Sequence, residues 1–307
     1  SALQAAIVGA LETIDVDSLT SAIRSGICEV LDLDTPIQNE SFFEGFETQP
    51  GHIAAGLPAP RPQETTAVVE ALQSGRPTLV SGPSGVGKST IVWASAYSTR
   101  HVLWFRVKRL ASPADVENLV RLAKACSATQ STPVGFVVDG VGLVSMGAWD
   151  DLVRQTRGAE FVYLLGSCRT EDLFTVQTLV SCAQVEVVLN EATAIRIFEH
   201  LRETHRTTVP HWIEAYRVAD GLTLEYTFLL TQGQRLSQVI RDQVGRRVRE
   251  QREIELRIIA LVATAHRWRV AVPLSALSTV ITGDVGEIRI GLARLVKEHI
   301  VVEADGQ

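Results

Sequence analysis

Methionine is almost missing from this chain, Met146 being the only one, and cysteine is sparse and scattered. Cys28, Cys126, Cys168 and Cys182 show no paired spacing, which excludes a disulfide scaffold and a zinc framework. They read as free thiols of a reducing compartment, and a cytoplasmic setting is expected. No apolar run is long enough to cross a membrane, and no signal-peptide pattern is present. Positive charge is also in short supply: the net charge is −6, so no clear nucleic-acid footprint exists. The first residue is Ser1 and not a methionine, which reads as a piece of a longer protein with a tag remnant at its start.

What is present is ordinary for a soluble globular protein: 46% apolar and 21% charged residues. A chain of 307 residues exceeds one compact core and implies two or three units. Charge is uneven, since the first 50 residues carry nine acids against Arg24 alone. Such asymmetry suits contacts between domains.

Periodicity divides the chain into four stretches. Residues 1–60 read as an acidic adaptor with two helical segments, "LQAAIVGALETI" and "SLTSAIRSGICEVL", and a Gly/Pro-rich loop before a boundary near Pro58 to Pro62. Residues 61–190 alternate amphipathic helices with five short apolar runs: "PTLVSG", "HVLWFRV", "PVGFVVDG", "EFVYLLGS" and "QVEVVLN". That pattern predicts an α/β fold, a five-stranded parallel sheet sandwiched by helices, with ligands at the carboxyl ends of its strands. Ser112 is expected to cap the helix that Pro113 opens. Residues 191–248 read as a helical lid. Residues 249–307 read as three helices and a short apolar strand, a winged helix whose wing is cut short.

The chemistry concentrates in "SGPSGVGKST". Gly82, Pro83, Ser84, Gly85, Val86, Gly87, Lys88 and Ser89 match G-x-x-x-x-G-K-[ST] in full, with Thr90 following. Glycines let backbone N–H groups wrap a phosphate, and the helix N-terminus adds favourable dipole charge. Lys88 is expected to meet the β- and γ-phosphates and the Ser89 hydroxyl to ligate Mg²⁺. Asp139 ends its apolar strand, where a carboxylate suits a Mg²⁺ partner beside the loop. Lys88 and Asp139 are thus the catalytic candidates. Arg169 follows the next strand tip, where a guanidinium can sense the γ-phosphate.

Hydrolysis needs a group that orients or deprotonates water. Gly140, Val141, Gly142 and Leu143, which follow Asp139, cannot do this, and Asp150 and Asp151 lie on a helix and are expected to face solvent. Slow hydrolysis, or hydrolysis completed by a partner, is the expectation. Arg106, Lys108 and Arg109 read as a solvated strand end before a nucleic-acid patch. His200, His205 and His211 lack ligand spacing. Arg289, Arg294 and Lys297 have the placement of a recognition helix, but Glu287 and Glu298 dilute their charge.

On these residues the chain resembles the STAND branch of AAA+-related NTPases, the NACHT and NB-ARC type, over about Pro60 to Glu303. Gly82–Thr90 is similar to Walker A, "FVVDG" to Walker B, and "LLGSCR" to the sensor-1 segment that ends in Arg169. "APRPQE" is similar to the family's entrance motif, which implies a place for Arg61 near the nucleotide. "ADGLTLEYTFLL" is similar to the lid segment, with Thr223 where the family has proline. The acidic pair that NACHT proteins carry after Walker B is missing. The resemblance implies a switch that holds ADP and Mg²⁺ when closed and exchanges for ATP on opening. It also implies self-assembly into a homo-oligomer, effector and sensor domains outside this stretch, and a setting in antiviral defence or transcriptional regulation. The competing readings are a DNA-binding AAA+ ATPase using the winged helix and a plain metabolic NTPase.

Overall fold

The computed structural model describes residues 21–39, 42–44, 47–126, 128–268, 270–297 and 300–301. The helix expected over "LQAAIVGALETI" and most of the terminal strand lie outside the described residues, as does Glu298. The chain folds as two compact units, Ser1–Gly233 and Gln234–Gln307.

The first unit is built on a six-stranded sheet: β1 (Cys28–Val30), β2 (Thr78–Gly82), β3 (Leu103–Val107), β4 (Val134–Val141), β5 (Val162–Arg169) and β6 (Ala183–Glu186). Its order is β1-β3-β4-β5-β2-β6. β2 to β6 are mutually parallel, whereas β1 runs antiparallel to β3. The five expected strands are therefore all there, in a sheet of six. The additional edge strand falls inside a segment read as helical, where the helix ends at Arg24 and the chain turns at Gly26. Three residues are too few for an alternation pattern, and pairing with β3 decides their state.

Every residue of β2 is buried, as a parallel sheet covered on both faces requires. Alternate residues feed two separate cores. Leu79, Phe105, Phe136, Val138 and Leu164 pack with α4 (Pro113–Ala125) and α5 (Trp149–Gln155). Val80, Trp104, Val137 and Leu165 pack with α2 (Pro62–Gln73) and α3 (Lys88–Ser98). α4 starts as expected: Ser112 Oγ accepts from Asp115 N at 3.3 Å, Asp115 Oδ2 accepts from Ser112 N at 3.1 Å, and Pro113 opens the helix. Before α2, α1 (Pro50–Ala54) packs on α3.

The edge strand also disposes of the basic cluster. Lys108 pairs with Glu29 at 2.6 Å, Arg106 approaches the same carboxylate at 3.8 Å, and Arg109 pairs with Asp115 at 3.0 Å. Part of the N-terminal acidity thus neutralises the end of β3.

Three further helices complete this unit: α6 (Glu191–Glu203), α7 (Ile213–Ala219) and α8 (Thr223–Gln232). They close on Tyr226, Ile197, Leu201 and Ala194, with Phe43 and Ala59 of the N-terminal segment against them. Tyr226 Oη donates to the Ala194 carbonyl at 2.9 Å.

The second unit holds α9 (Leu236–Arg249) and, around Ile258, Leu277, Ile281, Ile288 and Leu295, α10 (Glu253–Arg267), α11 (Leu274–Val280) and α12 (Val285–Lys297). The boundary falls after Gly233, so α9, read from the sequence as the end of the lid, groups with the C-terminal helices. The reason is a buried ion pair, Arg247 Nε to Glu255 Oε2 at 3.1 Å, that ties α9 to α10.

Candidate functional site

The glycine-rich turn leaves β2 at Gly82 and enters α3 at Lys88. Gly85 and Gly87 hold φ of 77° and 96°, the left-handed region that a side chain resists and the turn needs. The loop's carbonyls are engaged by donors from four directions. Lys88 Nζ donates to the Pro83 carbonyl at 2.8 Å, and Leu224 N donates to the Gly85 carbonyl at 2.9 Å. The Val86 carbonyl accepts from Arg61 Nη1 at 2.8 Å and from Thr223 Oγ1 at 3.0 Å. Ile91 N takes the Gly87 carbonyl at 3.2 Å as α3 begins. A loop whose acceptors are occupied by protein donors presents its N–H row to an anion, which is the chemistry of a phosphate cradle.

Arg61 is buried, and it buttresses this loop from the side. Its second Nη donates to the Val188 carbonyl at 2.8 Å, and Nε donates to Glu64 Oε1 at 3.1 Å. A Cβ on Gly87 would stand 3.1 Å from Arg61 Nη1. Burial lowers the pKa of its guanidinium, which Glu64 counteracts. The residue expected near the nucleotide thus supports the backbone that forms the cradle.

Ser89 and Asp139 stand together. Ser89 Oγ donates to Asp139 Oδ2 at 3.0 Å, with Oδ1 at 3.3 Å. A hydroxyl with its one proton committed to the carboxylate keeps its lone pairs for another partner. The pair is a set of hard oxygen donors and fits Mg²⁺, which retains most of its water and takes few protein ligands. Among the described residues no group of three or more His, Cys, Asp or Glu side chains forms a metal cage.

Strand order explains the meeting. β5 lies between β2 and β4, and its tip reaches both: Arg169 is in register with Gly82, and Ser167 with Asp139. Arg169 therefore stands beside the first residue of the loop. Among the described residues its buried Nε has no hydrogen-bond partner. The Cys168 thiol is pushed up to about 12, chiefly by burial, with Asp172 and Glu171 adding to the effect and Lys88 opposing it. It stays protonated and is no nucleophile.

The acids weighed for water activation are committed elsewhere. Asp150 accepts from Thr178 Oγ1 at 2.6 Å and from the backbone N–H groups of Thr178 and Gln177. Asp151 is exposed to solvent in part and pairs with Arg154 at 2.7 Å. His200 Nε2–H donates to the Leu57 carbonyl at 3.0 Å, joining α6 to the N-terminal segment.

Ser167 and Thr48 escaped the sequence reading, as did the hydroxyl contact that Thr223 makes where proline was expected. Ser167 Oγ–H donates to Asp139 Oδ1 and accepts from Gly140 N at 3.0 Å. Thr48 Oγ1 meets Thr90 Oγ1 at 3.0 Å, and its carbonyl accepts from Trp93 Nε1 at 2.8 Å. Thr223 reaches the loop by its hydroxyl. Each depends on a partner far along the chain, and no local pattern signals it.

Loop, strand order and carboxylate make an α/β fold with a P-loop at the end of one strand and a second strand inserted between the loop strand and the aspartate strand. No protein-family model matches the sequence, and no curated protein matches it. Among solved structures it is similar to the Aeropyrum pernix ORC1 protein in complex with DNA, at 16% identity over 81% of this chain and 87% of that one, TM-score 0.45. It is also similar to the replication initiator DnaA bound to AMPPCP and single-stranded DNA, at 16% identity over 78% and 88%, TM-score 0.38. AMPPCP-bound DnaA from Aquifex aeolicus is similar at 15% identity over 86% and 93%, TM-score 0.38. Likeness of this degree does not extend to function.

Proposed function

We propose that the chain is the core of an ATP/ADP-binding switch of the STAND type. Lys88 and the Gly82–Thr90 loop hold the phosphates, Ser89 with Asp139 holds Mg²⁺, and Arg169 reads the γ-phosphate. The observation that carries this reading is the direct grip of the lid on the loop. The first N–H groups of a helix lack partners within it; that of Leu224 is taken by the Gly85 carbonyl, and Thr223 adds its hydroxyl to Val86. A change in the loop on exchange of ADP for ATP therefore acts on the position of α8. Gly140 in place of a carboxylate directly after Asp139, with Asp150 and Asp151 engaged elsewhere, supports slow turnover. The C-terminal helices would serve as a winged helix and the open form as a self-assembling unit.

The test is steady-state ATP turnover by the monomer together with sedimentation in ADP and in ATP. Turnover far below the ~10 s⁻¹ of a median enzyme, with association in ATP only, is the expected result. Brisk turnover by the monomer would overturn the switch.

A second reading, a DNA-handling ATPase, draws on Arg289, Arg294 and Lys297, all exposed on α12. Glu287 shares that helix, and Arg294 approaches Glu255 at 3.5 Å, which reduces the charge available to phosphates. Duplex affinity that falls steeply with salt would favour this reading.

A further inference from the structure

We infer that Ser167 is a positioning residue for the Mg²⁺ site, acting through Asp139 on the Ser89 hydroxyl. The inference rests on the nucleotide-switch reading above and deepens it. A carboxylate on a strand tip can turn about its last bond, and a half-buried one next to two hydroxyls has several arrangements of nearly equal energy. Here the arrangement is set by a relay. Gly140 N–H donates to Ser167 Oγ at 3.0 Å, Ser167 donates its own proton to Asp139 Oδ1, and Ser89 donates to Asp139 Oδ2 at 3.0 Å. Ser167 is 2% exposed, so water does not replace its hydroxyl. Hydrogen bonds linked in series reinforce one another, and Ser167 has both its proton and an acceptor site engaged.

The consequence lies at Ser89. With Oδ1 occupied by Ser167, Asp139 offers Oδ2 to the loop serine, and the Ser89 proton is drawn there. Its lone pairs are then available to a cation. Without Ser167, Oδ1 is again open to Ser89, which already lies 3.3 Å from it, and the carboxylate plane is no longer set. The bulge between Asp139 and Val141 belongs to the same device: it turns the Gly140 peptide so that its N–H reaches across to β5. Ser167, Gly140 and Asp139 lie outside the loop assigned to the phosphates, so the metal-free affinity for nucleotide should not depend on Ser167.

The experiment is calorimetric titration of the chain with ADP, with saturating Mg²⁺ and with EDTA, for wild type, Ser167→Ala and Ser167→Thr. The quantity read is the ratio of the Kd in EDTA to the Kd in Mg²⁺. Partners behind a metal ligand are typically worth ~10-fold or more in metal affinity. Ser167→Ala should therefore reduce this ratio by about tenfold with the EDTA value unchanged, and Ser167→Thr, which keeps the hydroxyl, should restore it. A ratio that survives in Ser167→Ala overturns the proposal. Equal losses with and without Mg²⁺ overturn it too, since they assign Ser167 to the fold alone. Mg²⁺-dependent binding by the wild type that Ser167→Ala leaves intact spares the switch reading. Failure of the wild type to bind ADP at all removes that reading and this proposal together.

Discussion

Two carboxylates in this molecule are held in opposite ways. Glu255, 3% exposed in the second unit, is met by Arg247 at 3.1 Å, Arg252 at 3.4 Å and Arg294 at 3.5 Å. Asp139, near the carboxyl end of an interior strand of the first unit, is held by the hydroxyls of Ser89 and Ser167. Guanidinium groups cancel the charge of a buried acid and fix its neighbours, which here are three helices. Hydroxyls set a carboxylate's direction without cancelling its charge. A carboxylate that ties helices together and one left charged, as the proposed cation site needs, can thus be told apart by what donates to them.

The comparison can be broken, and the largest effect is expected at Glu255. Glu255→Ala leaves Arg247, 1% exposed, without its carboxylate, and breaking a buried pair of this kind costs about 3–5 kcal/mol. Urea unfolding of the variant should show the second unit lost first; a midpoint like that of the wild type would mean the three arginines are not held by Glu255. Next comes Lys88→Ala, which should abolish ATP binding if, as proposed, its ammonium is the loop's charge for the phosphates. Calorimetry showing unchanged affinity would remove the site from this loop. Asp139→Ala sharpens the contrast further. It should weaken binding in Mg²⁺ by about 10–100-fold while leaving metal-free binding close to that of the wild type, and equal losses would deny it a metal role.

The smallest effect concerns a group held by neither device. His52 is buried in α1, its Nδ1 accepts from Gln49 N at 3.1 Å, and burial lowers its pKa. The unfolded chain therefore takes up its proton first, near pH 6.5. The contribution of the neutral ring is full above about that pH and is lost as the pH falls through the lower folded-state value. Stability measured by urea should decline modestly below about pH 6.5, and His52→Asn should flatten that decline. An unaltered slope in the variant would place its origin elsewhere.

Much of the first unit was legible in the sequence because its signals are local. Gly85 and Gly87 announce a turn that only small residues adopt, Ser112–Asp115 carries its own cap, and the runs ending at Gly82, Asp139 and Arg169 are apolar enough to need cover on both faces. Less local features were missed. Cys28–Val30 is a strand only because β3 lies beside it, and α9 is tied to α10 because Arg247 finds Glu255. Asp150 reads as a solvent-facing acid until the turn at Gln177–Thr178 folds back onto it.

By itself, then, the sequence determined the loop, its flanking strand and helix, and the carboxylate and guanidinium at neighbouring strand tips, since each follows from residue type and short spacing. Tertiary structure decided which of those groups meet, and what else joins them. Placing β5 between β2 and β4 brought Ser167 to Asp139 and Arg169 to Gly82. Folding the chain also delivered Arg61 and Thr223, 25 and 137 residues distant, to the same carbonyl of Val86. The physical reason is that a hydrogen bond reads only distance and direction in space, and neither is encoded in the spacing of residues so far apart.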